Sequence, residues 1–116
     1  MGIVKKFLAA EQDLREIGLY IAQDSLINAD RFIDSLEREC QKLADSPIVL
    51  GRRCEGLNPE LRRHSFKRYA IIYRPVEDGI ELVGVFHSSR DLKAIFRRLN
   101  ERFTKHKQAQ RSPPRK

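Results

Sequence analysis

The N-terminal half of the chain repeats its apolar residues at helical spacing. One stripe follows steps of four, three and four residues and consists of Ala10, Leu14, Ile17 and Ile21. A second stripe of similar period runs through residues 29–43 and stops before Pro47. Because residues at this spacing share one face of a helix, the pattern predicts two amphipathic helices. Asp24-Ser25 separates the stripes, so we expect an antiparallel helical hairpin.

The C-terminal half contains short apolar segments that are typical of β-strands. Three segments have this character: residues 61–66, 69–74 and 80–87. The last two are separated by a turn that ends in Asp78-Gly79, a strong signal for a tight β-hairpin. The pattern therefore predicts a three-stranded antiparallel meander. A short apolar segment at 3–8 predicts a first strand, and the Pro- and Gly-containing residues 47–60 predict an irregular connection.

The two central segments of the predicted sheet are apolar on both faces. Residues 69–73 and 82–86 therefore need cover on both sides. The helical hairpin can cover one face, which leaves the other to a C-terminal helix or to a partner. An apolar stripe at 92–103 predicts such a helix, with Ser88 as its N-cap and the charge of Asp91 suited to its start.

Together these elements predict one α+β domain. Its order is an N-terminal strand, an antiparallel helical hairpin, a three-stranded antiparallel meander and a C-terminal helix. A chain of 116 residues with 41% hydrophobic residues can bury one modest core. We assign residues 1–105 to this domain. Residues 106–116 lack an apolar stripe and contain Pro113-Pro114, so they are predicted to form a basic, disordered tail.

The formal net charge of +7 is unevenly distributed. From Arg97 onward the chain has eight basic residues and one acidic residue, so this part carries the whole excess. The preceding body is neutral, but its residues 11–45 are mainly acidic and its residues 52–74 mainly basic. We therefore expect a basic surface on one side of the molecule and acidic helices on another.

The remaining composition predicts a cytoplasmic protein without a cofactor. Neither Cys40 nor Cys54 has a His or Cys at metal-ligand spacing, so both are expected to be thiols in a reducing compartment, with no metal. Lys5 and Lys6 interrupt the apolar residues near the N-terminus. No apolar run reaches membrane-spanning length, so no membrane partner is expected.

Two segments resemble the ParE-type toxins of the ParE/RelE superfamily. The hairpin is similar to the pattern A-x-x-D-L-x-x-I-x-x-Y-I followed by a helix that ends at Pro, with matches at Ala10, Asp13, Leu14, Ile17, Tyr20, Ile21 and Pro47. The meander is similar to a pattern that contains Y-x-I-x-Y-R and ends in H-x-x-R-D, with matches at Leu61, Arg62, Tyr69, Ile71, Tyr73, Arg74, Gly79, Ile80, Leu82, Val85, His87, Arg90 and Asp91. The joint order of the motifs over residues 3–96 carries the resemblance, which implies a ParE/RelE-like fold.

The resemblance implies the toxin of a type II toxin–antitoxin system. ParE-like members inhibit DNA gyrase and trap it on cleaved DNA, whereas RelE-like members are ribosome-dependent messenger RNA endonucleases. The expected partners are a cognate antitoxin, in a toxin–antitoxin hetero-oligomer, and DNA gyrase. The alternatives are the ribosome with its messenger RNA, and an inactive binding module that retains only the fold.

The resemblance and the basic residues together suggest two surfaces. The expected target-binding residues are Arg62, Arg63, Lys67, Arg68, His87 and Arg90. The expected antitoxin-binding residues are Leu14, Ile17, Tyr69, Ile71, Tyr73 and Arg74. If the chain were a nuclease, phosphate binding and proton transfer would fall to Arg62, His64, Lys67, Arg74, His87 and Arg90.

The end of the last strand favours the gyrase inhibitor. RelE-like nucleases usually place a Tyr or a His-Tyr pair shortly after this strand, where this chain has Asp91, Leu92 and Lys93. No catalytic residues are therefore expected. Simpler roles remain open for the same side chains: a solvated strand edge for the basic residues, a structural hydrogen bond for His87 and a local ion pair for Arg90.

Overall fold

The computed structural model describes residues 2–111 and confirms the predicted α+β order. Its elements are β1 (Ile3–Lys6), α1 (Leu8–Ala22), α2 (Leu26–Asp45), β2 (Arg62–Phe66), β3 (Tyr69–Val76), β4 (Gly79–His87) and α3 (Leu92–Arg111). The four strands form one sheet in the order β1-β4-β3-β2. The meander β2-β3-β4 is antiparallel, as predicted, whereas β1 pairs in parallel with β4.

The helical hairpin forms at the predicted break. Ser25 caps α2, because its hydroxyl accepts a hydrogen bond of 3.1 Å from the Asn28 backbone N–H. The buried side of α1 includes Leu14 and Ile17, and that of α2 includes Cys40. Burial raises the pKa of Cys40 to about 12, so the thiol is protonated at neutral pH and behaves as a small apolar core residue.

Helix α3 covers the sheet face opposite the hairpin. Phe96 packs edge-to-face on Phe86 of β4, with ring centroids 6.3 Å apart. Phe103 is fully buried and lies beneath the guanidinium of Arg74 in β3. Of the two ways to cover this apolar face that the sequence left open, the structure shows the C-terminal helix, so this face is not an open docking surface.

The start of α3 differs from the prediction. The helix begins at Leu92, and its cap is Asp91, whose Oδ1 accepts a hydrogen bond of 3.1 Å from the Lys93 backbone N–H. Ser88 is not the N-cap, because its backbone N–H donates to the Arg68 carbonyl oxygen and extends the strand pairing. A turn therefore separates β4 from α3.

The end of α3 also differs from the prediction. The helix continues to Arg111, although residues 106–116 were expected to be disordered. His106 stacks on Phe7 with ring centroids 3.9 Å apart, and Lys107 Nζ lies 2.7 Å from Glu60 Oε2. These contacts stabilise an extra turn that apolar periodicity could not indicate. Residues 112–116, with Pro113-Pro114, lie outside the described residues.

Candidate functional site

A cleft of about 730 Å³ opens where α1, the end of β4 and the first half of α3 meet. We call it the terminal cleft. Its lining residues are Asp13, Glu16, Ile17, Tyr20, Ile21, Arg68, Tyr69, Val85, Phe86, His87, Ser89, Arg90, Ile95, Arg98, Leu99 and Arg102. The cleft thus brings together three of the predicted target-binding residues, Arg68, His87 and Arg90.

The floor of the terminal cleft is a hydrogen-bonded network around Asp13. A register shift between β3 and β4 skips Val83, because Ile72 pairs with Gly84 and Tyr73 pairs with Leu82. The Asp13 carboxylate accepts from the Val85 N–H at 3.1 Å and from Arg102 Nη1 at 2.9 Å. Arg102 Nη1 also donates to the Val83 carbonyl oxygen at 2.8 Å. These bonds satisfy the backbone at the irregularity and join α1, β4 and α3.

Gly84 lies in the same irregularity and lets α3 approach the sheet. A Cβ atom at this position would lie 2.6 Å from Leu99 Cδ2 and 2.7 Å from Arg102 Nη1. Glycine favours close packing here, because the Leu99 and Arg102 side chains of α3 lie against the strand backbone.

The aromatic side chains Tyr20 and Tyr69 line the terminal cleft together with His87. Tyr69 packs against the edge of His87, with ring centroids 5.2 Å apart. Burial, assisted by the nearby phenol of Tyr20, raises the pKa of Tyr69, so it remains a hydroxyl donor at neutral pH. His87 Nδ1 accepts from the Ser89 backbone N–H at 3.1 Å. Because that N–H can only donate, the neutral ring carries its proton on Nε2.

Three arginines of the terminal cleft remain available for a ligand. Arg68, Arg90 and Arg98 are exposed, and none of them forms an ion pair within the part of the chain that the structure describes. Arg102 differs, since its charge is matched by Asp13. The site therefore presents unmatched guanidinium groups from a hairpin turn, from the β4–α3 turn and from α3.

The sequence did not indicate Tyr20 or Arg98 as site residues. Tyr20 is 70% exposed, although it lies within the apolar hairpin motif. The sequence feature that could have identified Tyr20 is its position beside the buried stripe of α1, three residues after Ile17 and one before Ile21. Arg98 lies on α3, where the sequence indicates an excess of basic charge but not which basic residue faces the cleft.

The other predicted target-binding residues lie outside the terminal cleft, with Arg62 and Arg63 on β2 and Lys67 in the β2–β3 turn. Arg62 Nη1 donates to the Pro59 carbonyl oxygen at 2.8 Å. Arg63 lies over the Phe86 ring at 5.9 Å, and Lys67 lies over the Phe66 ring at 5.4 Å. The predicted basic patch is therefore divided, and its β2 half has intramolecular roles.

The proposed nuclease set is not assembled at the terminal cleft. Arg62, His64, Lys67 and Arg74 are absent from its lining, whereas His87 and Arg90 belong to it. His64 Nε2 lies 2.7 Å from Glu39 Oε2, and Arg74 Nε donates to Glu81 at 2.8 Å. Although partial burial opposes it, hydrogen bonding from His64 and the charge of Lys42 lower the pKa of Glu39. His64 and Arg74 therefore form ion pairs or hydrogen bonds within the fold.

Four of the six expected antitoxin-binding residues are core residues. Leu14 and Ile17 are buried on α1, and Ile71 and Tyr73 are buried on β3 between the sheet and the hairpin. The Tyr73 hydroxyl accepts a hydrogen bond of 2.7 Å from the Gly51 N–H. Leu14 also lines a groove between α1 and α2, and Ile17 lines the terminal cleft, whereas Ile71 and Tyr73 line neither. The assignment of these four residues to an antitoxin surface stays a prediction. The regular spacing of these four residues along their elements reflects their burial in the core.

The other two expected antitoxin-binding residues, Tyr69 and Arg74, are partly exposed, and both side chains make contacts within the fold. Tyr69 is in the terminal cleft wall, and Arg74 forms ion pairs with Glu81 and Glu60.

The outer side of the helical hairpin exposes apolar residues instead. A groove of about 490 Å³ runs between α1 and α2, and we call it the hairpin groove. Its rim includes Leu19 and Leu26, whose exposed fractions are 64% and 73%. Neighbouring apolar exposure on this scale is typical of an interaction surface.

The sequence model of one family, described as ParE toxin of type II toxin-antitoxin system, parDE, matches residues 8–92. This match extends from the start of α1 to the first residue of α3 and includes most of the chain. The chain belongs to the ParE toxin family. Its membership of a type II toxin–antitoxin family implies an antitoxin partner. A search of curated proteins found no match.

The match explains the hairpin and the meander of this ParE toxin, but most of α3 lies beyond it. The terminal cleft combines both parts, since Tyr20 and His87 fall within the matched residues and Arg98 does not. Within residues 2–111, no group of three or more His, Cys, Asp or Glu side chains could hold a metal ion. No helix in that range is long and apolar enough to cross a membrane.

Proposed function

We propose that this ParE toxin inhibits DNA gyrase by binding to it through the terminal cleft. The observation that carries the proposal is the set of three unmatched arginines, Arg68, Arg90 and Arg98, on a member of this family. Exposed guanidinium groups around an aromatic wall are suited to a large, negatively charged target.

Inhibition by binding fits the site better than RNA cleavage does. Cleavage without a metal requires a base and an acid on opposite sides of the scissile phosphate. His64 is paired with Glu39 outside the terminal cleft, and Nδ1 of His87 is engaged by Ser89. The wall tyrosine, Tyr69, has a raised pKa, which disfavours the phenolate that a general base would need. We therefore propose that the toxin is not an enzyme.

We further propose that the antitoxin covers the hairpin groove. The groove presents exposed leucines between charged rims that include Glu11, Arg15 and Asp30. An amphipathic segment of the antitoxin could place apolar side chains between the helices and polar ones against the rims. This arrangement leaves the core residues of α1 and β3 buried.

A pair of assays tests the proposed target. The full-length toxin is added to a gyrase supercoiling reaction and, in parallel, to a cell-free translation reaction. We expect loss of supercoiling with accumulation of cleaved DNA, together with intact messenger RNA. Codon-dependent cleavage of messenger RNA with unaffected supercoiling would reject gyrase in favour of the ribosome. Activity in neither reaction would favour a binding module.

A further inference from the structure

Helix α3 makes the terminal cleft part of a longer basic surface. The helix contains seven basic residues and one acidic residue, so it carries most of the excess charge of the chain. Arg98 and Lys105 lie on one side of the helix, with Arg102, whose charge is matched by Asp13, between them at steps of four and three residues. At 1.5 Å per residue they extend over about 10 Å from the cleft.

Tyr20 adds an aromatic surface to these charges. Its side chain lines the cleft and is 70% exposed, an unusual position for a ring that could instead be packed. Exposed aromatic rings beside a basic groove are how proteins bind single-stranded nucleic acid without sequence preference, because every unstacked base offers a flat face. Arginine contributes bidentate hydrogen bonds to phosphate.

The acidic side chains of the cleft favour a nucleic acid over an acidic peptide. Asp13 is neutralised by Arg102, but Glu16 is exposed and forms no ion pair among the described residues. The Glu16 carboxylate would repel the side chains of an acidic peptide and the phosphates of a nucleic acid alike. It can, however, accept a hydrogen bond from the amino group of a base such as cytosine.

We infer that the terminal cleft binds a single strand of DNA, with Arg90 and Arg98 on its phosphates and Tyr20 stacked on a base. This inference rests on the proposed function, because gyrase that is trapped on cleaved DNA supplies locally unpaired strands. The toxin would then contact the DNA that gyrase holds as well as gyrase itself.

Fluorescence anisotropy with the full-length toxin tests the inference. The probe is a labelled oligodeoxycytidylate of about twelve nucleotides, within the range of site sizes known for strand-binding proteins. We expect Arg90→Gln/Arg98→Gln to weaken binding about tenfold and to reduce the salt slope by about 1.4, as for two lost phosphate contacts on a single strand. Tyr20→Ala should weaken binding about tenfold, whereas Tyr20→Phe should retain it.

A matched control removes the same charge from positions on α3 that lie outside the terminal cleft. Lys93 and Arg97 are exposed on α3 and do not line the terminal cleft. Residues 97 and 98 differ by about 100° around the helix axis, so the two arginines face different directions. Lys93→Gln/Arg97→Gln should therefore weaken binding less than about threefold, through general electrostatics alone.

Four results would overturn the inference. Equal weakening in both double variants would indicate general attraction to α3, and unchanged affinity of Tyr20→Ala would remove the stacking contact. Displacement of the probe by polyglutamate of equal charge would identify an acidic-peptide site. If the toxin inhibits gyrase but does not bind the probe, the proposed function stands and the strand site is rejected. If it binds the probe in the expected pattern but leaves gyrase active, the strand site stands and gyrase is rejected.

Discussion

Removing the Asp13 carboxylate should destabilise the whole molecule, because this group joins three elements. Asp13→Ala deletes the acceptor for the Val85 N–H at 3.1 Å and for Arg102 at 2.9 Å. Arg102 keeps only its bond to the Val83 carbonyl oxygen. The Val85 N–H and the Arg102 charge then lose their common partner beneath α3.

The structure sets the size of this loss. Hydrogen bonds to charged groups contribute about 1.5–3 kcal/mol each, and breaking a fully buried ion pair costs about 3–5 kcal/mol. The side chains of Arg102 and Asp13 are 18% and 21% exposed, so the freed guanidinium can recover part of its hydration. We therefore expect the free energy of unfolding to fall by about 3 kcal/mol in Asp13→Ala. Asp13→Asn should lose about half as much, because its amide oxygen can still accept from Val85.

Urea unfolding followed by circular dichroism measures these changes. Asp34→Ala is the control, since Asp34 is exposed on α2 and should change stability by less than about 0.5 kcal/mol. In a double-mutant cycle, Arg102→Met should cost less in the Asp13→Ala background than in the wild type. A loss below about 1 kcal/mol for Asp13→Ala, or purely additive effects in the cycle, would refute the proposed linkage.

Three further predictions concern the same fold. Gly84→Ala should lower the free energy of unfolding by about 2 kcal/mol, because its Cβ would overpack against Leu99 and Arg102. The control is Gly18→Ala, whose Cβ would meet nothing closer than 3.6 Å and which should not destabilise the protein. Equal urea midpoints for the two variants would contradict this prediction. The folded pKa of Glu39 is lowered from 4.5, so the Glu39 carboxylate stabilises the fold above pH 4.5, and this contribution is lost as the pH falls through the folded pKa. In thermal melts, the melting temperature of Glu39→Gln should therefore fall less below pH 4.5 than that of the wild type. Parallel plots of melting temperature against pH for the two proteins would reject the linkage. Cys40, with a pKa of about 12, should resist iodoacetamide until the protein is unfolded, as measured by mass spectrometry. Rapid labelling of Cys40 in the folded protein would contradict this prediction.

Local periodicity was enough to predict the elements of this fold. The stripe through Leu14 and Ile17 predicted α1 because spacing on a helix directly determines which side is buried. The Asp78-Gly79 turn likewise predicted the β3-β4 hairpin. The end of α3 could not be predicted in this way, since His106 is held by Phe7, a residue from the opposite end of the chain.

The candidate site was only partly predictable for the same reason. His87 and Arg90 are close in sequence and could be grouped from the motif alone. Tyr20 and Arg98 join them only after α1 and α3 pack on the sheet, through contacts such as Asp13–Arg102 that span 89 residues. Ile71 and Tyr73 were expected at the antitoxin surface but are buried, because positions that match a family motif are often those that build its core.

The measurement that most directly tests the terminal cleft as the toxic site is the concentration of toxin that halves gyrase supercoiling. Arg90→Gln/Arg98→Gln and Lys93→Gln/Arg97→Gln remove equal charge, but only the first pair changes the cleft. We predict that the first variant requires at least about tenfold more toxin, the equivalent of about 1.4 kcal/mol, while the second remains close to the wild type. Equal inhibition by both variants and the wild type would contradict a role for the cleft in toxicity.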